Sequence, residues 1–566
     1  MYLDDFFTAA TAQKAGFMEK RGDGNPVITG LEYDSRKVKE GALYFALPGL
    51  HVDGHAYIAD AILKGARAIV HEQQLNMEAL SGSGISGQAL KETVFIRVAS
   101  SRFAMSPIAA SYYGFPADKI TLIGVTGTEG KSTTVYLIWQ LLRLAGKKAG
   151  FVSTVQYSDG AEAQWNPEHQ TTPEAPAIHC RLAEMVKNGA GYAVLESSSH
   201  GLSQKTNRLG DAYFDAAVMT NVTHEHLEFH GSWEQYRYDK ANLFRSLDKR
   251  AAMPKEKPNN PNNATGGNAA RPFGVINADD KSAAYFAEAT KQKTLSFSTA
   301  FQDSAGPTDN TADLRVVSIK SSAEGNSYNV FDAANNTTIT IADKLPGAFN
   351  AGNVLAALLV VSNLLEKPIA ELAPLIPSLE PVRGRMTRVN CGQDFEVLVD
   401  YAHTPSSFQT IFPPLRERID AGGNTRGRII TLFGSAGERD TKKRSEQGAI
   451  AAKYSDIVIL ADEDPRGEVP MAILEEIALG CTGASGNDST LSSKMRRNET
   501  LFLIPDRPQA IRKAFSLARK GDLVLLLGKG HENSIIYKDF TMKYDEISEA
   551  EKALGELMGN RINGQK

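Results

Sequence analysis

The residues best suited to chemistry form one unbroken stretch, Gly124-Val125-Thr126-Gly127-Thr128-Glu129-Gly130-Lys131-Ser132-Thr133. Backbone N–H groups of a glycine-rich loop can cradle phosphates, and a helix opening at its end adds a favourable dipole. In such a loop Lys131 would meet the β- and γ-phosphates and the Ser132 hydroxyl would reach Mg²⁺. The usual pattern has a glycine five residues before the Gly-Lys pair. That position is Val125, so the match is to a Thr-Gly-Thr-x-Gly-Lys-Ser variant.

Three further segments carry reactive side chains. Leu195-Glu196-Ser197-Ser198-Ser199-His200 follows a β-like run. A carboxylate at the C-terminal end of a strand beside a phosphate loop can hold Mg²⁺; the same residues can also cap a helix. Thr220–Gly231 holds His224, His226 and His230, three histidines within seven residues, on a spacing that is not a zinc ligand set. Tyr238–Phe244 reads as helix, and Lys240, taken alone, reads as a solvated lysine on it.

These groups need a scaffold of strands ending in loops, and the pattern supplies one. Ile120–Val125 is a buried-strand run, followed by the loop and a helical stretch over Thr133–Ala145. Tyr192–Leu195 and Ala216–Thr220 are further strand runs between helical patterns, which predicts a mainly parallel sheet. Upstream, Ala42–Leu47, Ala68–Val70 and Val94–Val98 alternate with helix-like stretches such as Ile58–Gly65, a small α/β unit. Leu314–Ile341 predicts antiparallel strands, and Val354–Leu365 a helix. Beyond Pro381–Arg385, the runs Phe395–Val399, Ile429–Phe433, Ile457–Leu460 and Leu523–Leu527 predict another helix-flanked sheet. The reading is α/β with three domains, 1–112, 113–382 and 383–566. Ala251–Arg271 and Gly480–Arg497 are polar and read as exposed insertions.

Composition excludes several classes. The chain has 566 residues, too many for one core, and 62 basic against 66 acidic side chains, without the excess a nucleic-acid binder needs. Its three cysteines, Cys180, Cys391 and Cys481, lie far apart and form no metal or disulfide framework. No basic-then-apolar leader opens the sequence, and no apolar run approaches the roughly 18–20 residues of a membrane span. The expectation is a cytoplasmic, monomeric protein with no nucleic-acid or membrane partner.

In order along the chain, these residues resemble the Mur ligase family, the ATP-dependent amide-forming enzymes of peptidoglycan precursor synthesis. The resemblance runs over about residues 30–550. It is carried by Asp34-Ser35-Arg36, Gly41–Ala46, Asp53-Gly54-His55, the phosphate loop, Thr171-Thr172-Pro173-Glu174, Glu196–His200, and Thr220-Asn221 with His226. Tyr238-x-Lys240, Leu345–Asn353, Gly384-Arg385-Met386, Asp400–Pro405, Gly434–Asp440, Asp464-Pro465-Arg466 and Gly528–Glu532 complete it. No single motif decides the matter; their ordered conjunction is specific.

The resemblance implies a UDP-binding N-terminal domain, a central P-loop ATPase domain and a Rossmann-like C-terminal domain that supplies the amino-acid pocket. It implies transfer of the ATP γ-phosphate to the D-Glu γ-carboxylate of UDP-MurNAc-L-Ala-D-Glu, then attack on the acyl phosphate by the amine of a diamino acid. Lys131, Lys240 and His200 match catalytic positions, although no dedicated general base is assigned. Thr126, Gly127, Thr128, Glu129, Gly130, Lys131, Ser132, Thr133, Asn350, Asn353, Arg385 and Asp400 match ATP contacts. Ser132, Glu196, His226 and Lys240 match magnesium ligands, with Lys240 carbamylated by CO₂ into an anionic oxygen donor. Ser35, Thr171, Thr172, Ser198, Gln204 and Arg208 match contacts to the UDP-linked substrate. The family has Arg two residues after the Gln; Thr206 stands there, and Arg208 is the alternative. Glu225 replaces the family's usual Asp before His226.

Arg439, Glu463, Asp464, Pro465, Arg466, Gly528 and Glu532 match the amino-acid pocket. Relatives that take meso-diaminopimelate usually read Asp-Asn-Pro-Arg where this chain reads Glu463-Asp464-Pro465-Arg466. Arg466 could pair with a distal carboxylate. Asp464 beside Glu463 and Glu468 favours a distal ammonium, so lysine or ornithine is expected over diaminopimelate. The competing readings are a folylpolyglutamate or cyanophycin-type ligase, against which the N-terminal Asp34-Ser35-Arg36 and Asp53-Gly54-His55 segments argue, and a P-loop ATPase acting through partners.

Overall fold

The computed structural model describes all residues except 50–51, 167–169, 224–226, 254–270, 301–310, 323–324, 422–426, 484–494 and 564–566. Most of both expected insertions therefore lies outside the described residues, as does His226.

The chain divides into two compact units. The first comprises residues 1–315, 332–335 and 352–372; the second comprises 316–331, 336–351 and 373–566. The first unit opens with a five-stranded sheet made of Phe17–Arg21, Gly30–Glu32, Ala42–Phe45, Ala68–His71 and Val94–Val98. The last four strands run parallel, and Phe17–Arg21 joins Val94–Val98 antiparallel. One face buries Leu43, Phe45, Val70 and Ile96; the other buries Tyr44, Ile69 and Phe95. That is the period-two alternation of a sheet covered on both sides.

The site of interest sits on the next sheet. Strand Thr121–Thr126 lies between the parallel strands Tyr192–Glu196 and Ala216–Met219. Ala149–Val152 flanks one side, and Phe273–Asn277 and Lys293–Ser298 extend the other, all parallel. These strands are short and, apart from the start of Lys293–Ser298, mostly buried, as parallel strands between helix layers must be. Gly124 has no room for a side chain: a Cβ would stand 2.4 Å from Leu243 Cδ1 of the helix Trp233–Ala251. Ser232 caps that helix by accepting from the Gln235 N–H. Strand Lys293–Ser298 also pairs parallel with Leu314 and Arg315, at the start of the strand Leu314–Ser322. Gly325–Asp332 and Thr337–Asp343 are the next two strands along the chain.

The second unit contains a six-stranded sheet in the order Thr387–Arg388, Glu396–Asp400, Leu523–Leu527, Ile429–Phe433, Ile457–Leu460, Leu501–Leu503. All neighbours are parallel except the first pair. Two apolar cores cover its faces, one around Leu398, Phe408, Phe433 and Ile477, the other around Val397, Val399, Ile430 and Phe515.

Among the described residues no single helix is long and apolar enough to cross a membrane. The most apolar one, Asn350–Leu365, is bent 111° from the helical stretch that follows it, and its Val354, Leu355, Leu358 and Val361 are fully buried.

Candidate functional site

The phosphate loop leaves the strand at Thr126 and enters the helix at Lys131. Two glycines shape it. Gly127 has φ +154° and Gly130 φ +80°, and a Cβ would come within 1.9 Å of Thr220 Oγ1 or 2.7 Å of Asn353 Oδ1 respectively. Residues outside the loop tie it down. The Glu129 N–H donates to Asn221 Oδ1 at 2.8 Å, and the Thr220 hydroxyl donates to the Glu129 carbonyl at 2.6 Å. The Thr128 hydroxyl lies 3.1 Å from the Tyr236 hydroxyl, and Lys131 Nζ donates to the Thr128 carbonyl at 2.6 Å. Thr134 donates to Asn353 Oδ1 at 3.1 Å, which seats the predicted nucleotide contact Asn353 beside the loop. Thr126 and Thr133 flank the loop, Thr126 wholly buried and Thr133 half-buried. Asn350 belongs to the second unit, where its amide donates to the Pro346 carbonyl at 2.7 Å.

Glu196 ends its strand at the loop. Its two oxygens accept from the Ser132 hydroxyl at 3.0 and 2.9 Å, and one also accepts from the Thr154 N–H and hydroxyl at 2.8 and 3.0 Å. Lys240, 2% exposed, donates to the Gly127 carbonyl at 2.5 Å and lies over the Tyr236 ring. Among the described residues no three His, Cys, Asp or Glu side chains gather into a metal site. The buried Ser132–Glu196 pair nevertheless offers the hard oxygen donors that suit Mg²⁺ beside a triphosphate.

A solvent-open pocket adjoins this loop. It is lined by Lys131, Gln170, Thr171, Thr172, Ser198, Ser199, His200, Arg208, Tyr236 and Lys240. It thus brings together Lys131, Thr171, Thr172, Ser198, His200, Arg208 and Lys240, which the sequence scatters over 110 positions. The Thr172 hydroxyl bridges the Glu196 carbonyl and the Ser198 N–H at 2.8 and 2.9 Å. Arg208 donates to the Thr172 carbonyl at 2.9 Å and to Glu174 Oε1 at 2.8 Å, so it reaches this wall although it stands four residues after Gln204. Thr206 is a backbone prop instead, its hydroxyl donating to the His200 carbonyl. Gln204 is exposed and does not line the pocket. Ser35 does not line it either; it sits in the turn after Gly30–Glu32, where its carbonyl accepts from Lys64 Nζ at 2.9 Å.

Three lining residues, Gln170, Ser199 and Tyr236, were given no role from sequence. Tyr236 forms the floor under Lys240. Ser199 is met by His230 Nε2 at 3.0 Å, and His230 Nδ1 by Asp239 Oδ2 at 2.8 Å, both partners of His230 being buried. The cluster of three histidines was visible in the sequence; the partners of His230 are 31 and 9 residues away.

In the second unit the predicted residues collect at the carboxyl ends of the parallel strands, the usual crevice of an open α/β sheet. Asp400 accepts from the Met386 and Ala402 N–H groups at 2.7 Å each; burial holds its carboxyl above the usual range despite nearby Arg385. The Arg385 guanidinium lies 4.7 Å from the Tyr401 ring centroid. Arg439 is exposed in the loop after Ile429–Phe433. Gly437 in that loop has no room for a Cβ, which would stand 2.0 Å from the Pro465 carbonyl oxygen.

The acidic cluster behaves differently from the sequence-based expectation. Asp464 is already paired: its Oδ1 accepts from the buried ammonium of Lys529 at 3.0 Å and from the Ile536 N–H at 2.9 Å. Lys529 also meets Glu532 at 2.6 Å, and Glu468 is held by Arg444 at 2.9 and 3.0 Å. Only Glu463, among these acids, keeps a buried oxygen with no partner among the described residues. Burial raises its carboxyl above the usual range, against the opposing charges of Lys443 and Lys529. A Cβ at Gly528 would stand 2.9 Å from that oxygen. Arg466 adopts φ +53°, and its buried Nε likewise has no partner among the described residues.

A strand–loop–helix phosphate cradle with a carboxylate at the adjacent strand end defines a P-loop nucleotide-dependent enzyme. Comparison with known proteins narrows this. Residues 27–112 match the Mur ligase family, catalytic domain; residues 125–361 the Mur ligase middle domain; and residues 384–530 the Mur ligase, glutamate ligase domain. The chain is 50% identical over 544 residues to a UDP-N-acetylmuramyl-tripeptide synthetase of Treponema denticola, covering 94% of this chain and 95% of the relative. It is 33% identical to a UDP-N-acetylmuramoyl-L-alanyl-D-glutamate–2,6-diaminopimelate ligase of Geobacillus kaustophilus, covering 96% and 97%. A solved structure of another diaminopimelate ligase of that name superposes with a TM-score of 0.56 at 25% identity, covering 94% and 95%. The chain belongs to the Mur ligase family, with the family's three domains.

Proposed function

We propose that this chain is an ATP-dependent amide ligase that extends UDP-MurNAc-L-Ala-D-Glu by a basic diamino acid through an acyl phosphate. The observation that carries this reading is the pocket that sets Thr171, Thr172, Ser198 and Arg208 against Lys131 and Lys240 of the phosphate site. A carboxylate lodged there lies beside the place where the loop would hold the γ-phosphate.

The chain's own part is positioning and charge neutralisation. Gly127–Ser132 hold the triphosphate through backbone N–H groups. Lys131 and Arg208 bring positive charge to the phosphate and the substrate. Ser132, Glu196, His226 and a carbamylated Lys240 would hold Mg²⁺, which neutralises charge on the phosphoryl group. A carbamate gives Lys240 the oxygen donor that an ammonium lacks, and its burial beside the loop suits that role. Arg385, Asp400, Asn350 and Asn353 are assigned to the nucleotide, and Ser35 and Gln204 to the UDP-linked substrate.

For the amino acid, Arg466 is assigned to the α-carboxylate and Glu463 to the distal ammonium. Each has a buried polar atom without a described partner, and a basic diamine offers both complements. Arg439, Asp464, Pro465, Gly528 and Glu532 frame them. Lysine and ornithine are therefore expected over meso-diaminopimelate, whose extra carboxylate would meet Glu463. The test is phosphate release with UDP-MurNAc-L-Ala-D-Glu, ATP and Mg²⁺ against lysine, ornithine and meso-diaminopimelate in parallel, with product masses. Release only with a basic diamine supports the assignment. Release only with diaminopimelate overturns the pocket reading, and none with any of the three overturns the ligase reading.

A further inference from the structure

Amide formation needs the attacking nitrogen to lose a proton, and none of the residues so far assigned takes it. We propose that Ser199, His230 and Asp239 form the proton relay for that step, with Ser199 the catalytic contact. The inference rests on the ligase reading above.

The three side chains are in line. Asp239, 1% exposed, accepts on Oδ1 from the Gln235 amide at 3.0 Å and on Oδ2 faces His230 Nδ1 at 2.8 Å. With carboxylate Oδ2 facing it, Nδ1 is the ring nitrogen that carries the hydrogen and donates it. In the neutral ring Nε2 is then an acceptor, and at 3.0 Å its partner is the Ser199 hydroxyl, which must donate. The hydroxyl hydrogen is thereby committed to His230, and the oxygen keeps its lone pairs for the pocket that Ser199 lines with Lys131, Lys240 and Thr172. An acceptor in such a place suits an N–H, and does not suit a carboxylate or phosphate oxygen.

The ring is also held in place by its neighbours. His230 packs at 5.2 Å against Tyr236 and at 5.3 Å against His200, both of which also line the pocket. Ser198 caps the short helix Ser199–Leu202 by accepting from the Gly201 N–H at 3.1 Å, which fixes the backbone at Ser199.

The step balances. The amine lone pair forms the N–C bond to the acyl carbon, giving a tetrahedral centre. A proton leaves that nitrogen for Ser199 Oγ while the Ser199 proton moves to His230 Nε2, and Asp239 faces the resulting imidazolium. Collapse breaks the C–O bond to phosphate, which departs with the electron pair. Phosphoryl transfer from ATP to the substrate carboxylate involves no such proton, so the relay acts in the second half-reaction alone.

That asymmetry gives the test. Wild type, Ser199→Ala and His230→Gln are compared in two assays. In one, ATP, Mg²⁺ and UDP-MurNAc-L-Ala-D-Glu are supplied without amino acid, and acyl phosphate is trapped as the hydroxamate with hydroxylamine. In the other, tripeptide formation is followed at saturating amino acid, with KM for the amino acid measured beside kcat. The expected result is hydroxamate formation close to wild type in both variants, with kcat for the tripeptide down about 10²–10⁴-fold, the range of a lost general base, and KM little moved. The relay is overturned if hydroxamate and tripeptide formation fall together, as a purely structural role would have it, or if both variants make tripeptide at close to the wild-type kcat. A wild-type protein that yields no hydroxamate overturns the ligase reading, and the relay with it.

Discussion

At the scale of single residues, Lys240 shows how far chemistry can depart from residue type. Read from its neighbours in sequence it is a solvated lysine on an amphipathic helix. In the fold it is almost wholly buried, pointed at the Gly127 carbonyl of the phosphate loop. Burying an ammonium there costs free energy unless it is compensated, and conversion to a carbamate removes the cation altogether. Lys240→Ala is expected to abolish tripeptide formation, and added formate or acetate to restore part of it by supplying the missing oxygen donor. Full activity of Lys240→Ala without additive would remove the carbamate from the account. The phosphate loop itself was legible because its glycines are dictated by local backbone conformation. The Ser199–His230–Asp239 line was not, because its members meet only through the packing of two short helices, Ser199–Leu202 and Leu227–His230, and one long helix. Nor could the sequence show that Lys529 would occupy Asp464, which moves the case for a distal ammonium onto Glu463.

At the scale of elements, buried strands announced themselves and exposed ones did not. Tyr192–Glu196, Ile429–Phe433, Ile457–Leu460 and Leu523–Leu527 are largely apolar runs, and the sequence placed each within a residue or so of its true bounds. Phe17–Arg21, exposed along its whole length, carries no such signal and owes its form to pairing with Val94–Val98. The proposed amino-acid site depends on a tie between elements that is invisible locally. Arg507, at the start of the helix Arg507–Leu517, donates to the Asp462 carbonyl at 3.1 Å and the Leu527 carbonyl at 2.6 Å. Those carbonyls directly precede Glu463 and Gly528. Glu546 of the last helix, Glu546–Asn563, pairs with the same guanidinium through both oxygens, at 2.8 and 2.7 Å. Both side chains are wholly buried. Removing one member strands the other's charge, so Glu546→Gln is expected to destabilise the protein by about 3–5 kcal/mol. Chemical denaturation would measure this, and a change under 1 kcal/mol would show that the tie matters little to stability.

At the scale of the whole molecule, buried ionisable groups set how the fold answers to pH, and two of them pull in opposite directions. His179 lies in the helix Ala175–Lys187 with neither ring nitrogen partnered among the described residues. Its complete burial lowers its pKa from 6.5 to about 4. Its folded value is below its unfolded one, so its contribution is present above pH 6.5 and is lost as the pH falls through 4. By linkage that loss is about 3 kcal/mol. Asp462 is the reverse case: burial pushes its pKa up to about 6, against a hydrogen bond from Tyr537 and the charge of Arg507. Its contribution is complete below pH 3.8 and is lost as the pH rises through 6. His179→Leu should therefore resist acid better than the wild type, its stability advantage growing from pH 7 down to pH 4. Asp462→Asn should gain over the wild type as the pH is raised from 4 to 8. Denaturation curves of the three proteins at pH 4.5, 6 and 8 would display the two trends side by side. Parallel behaviour of all three would mean that neither burial is retained in solution.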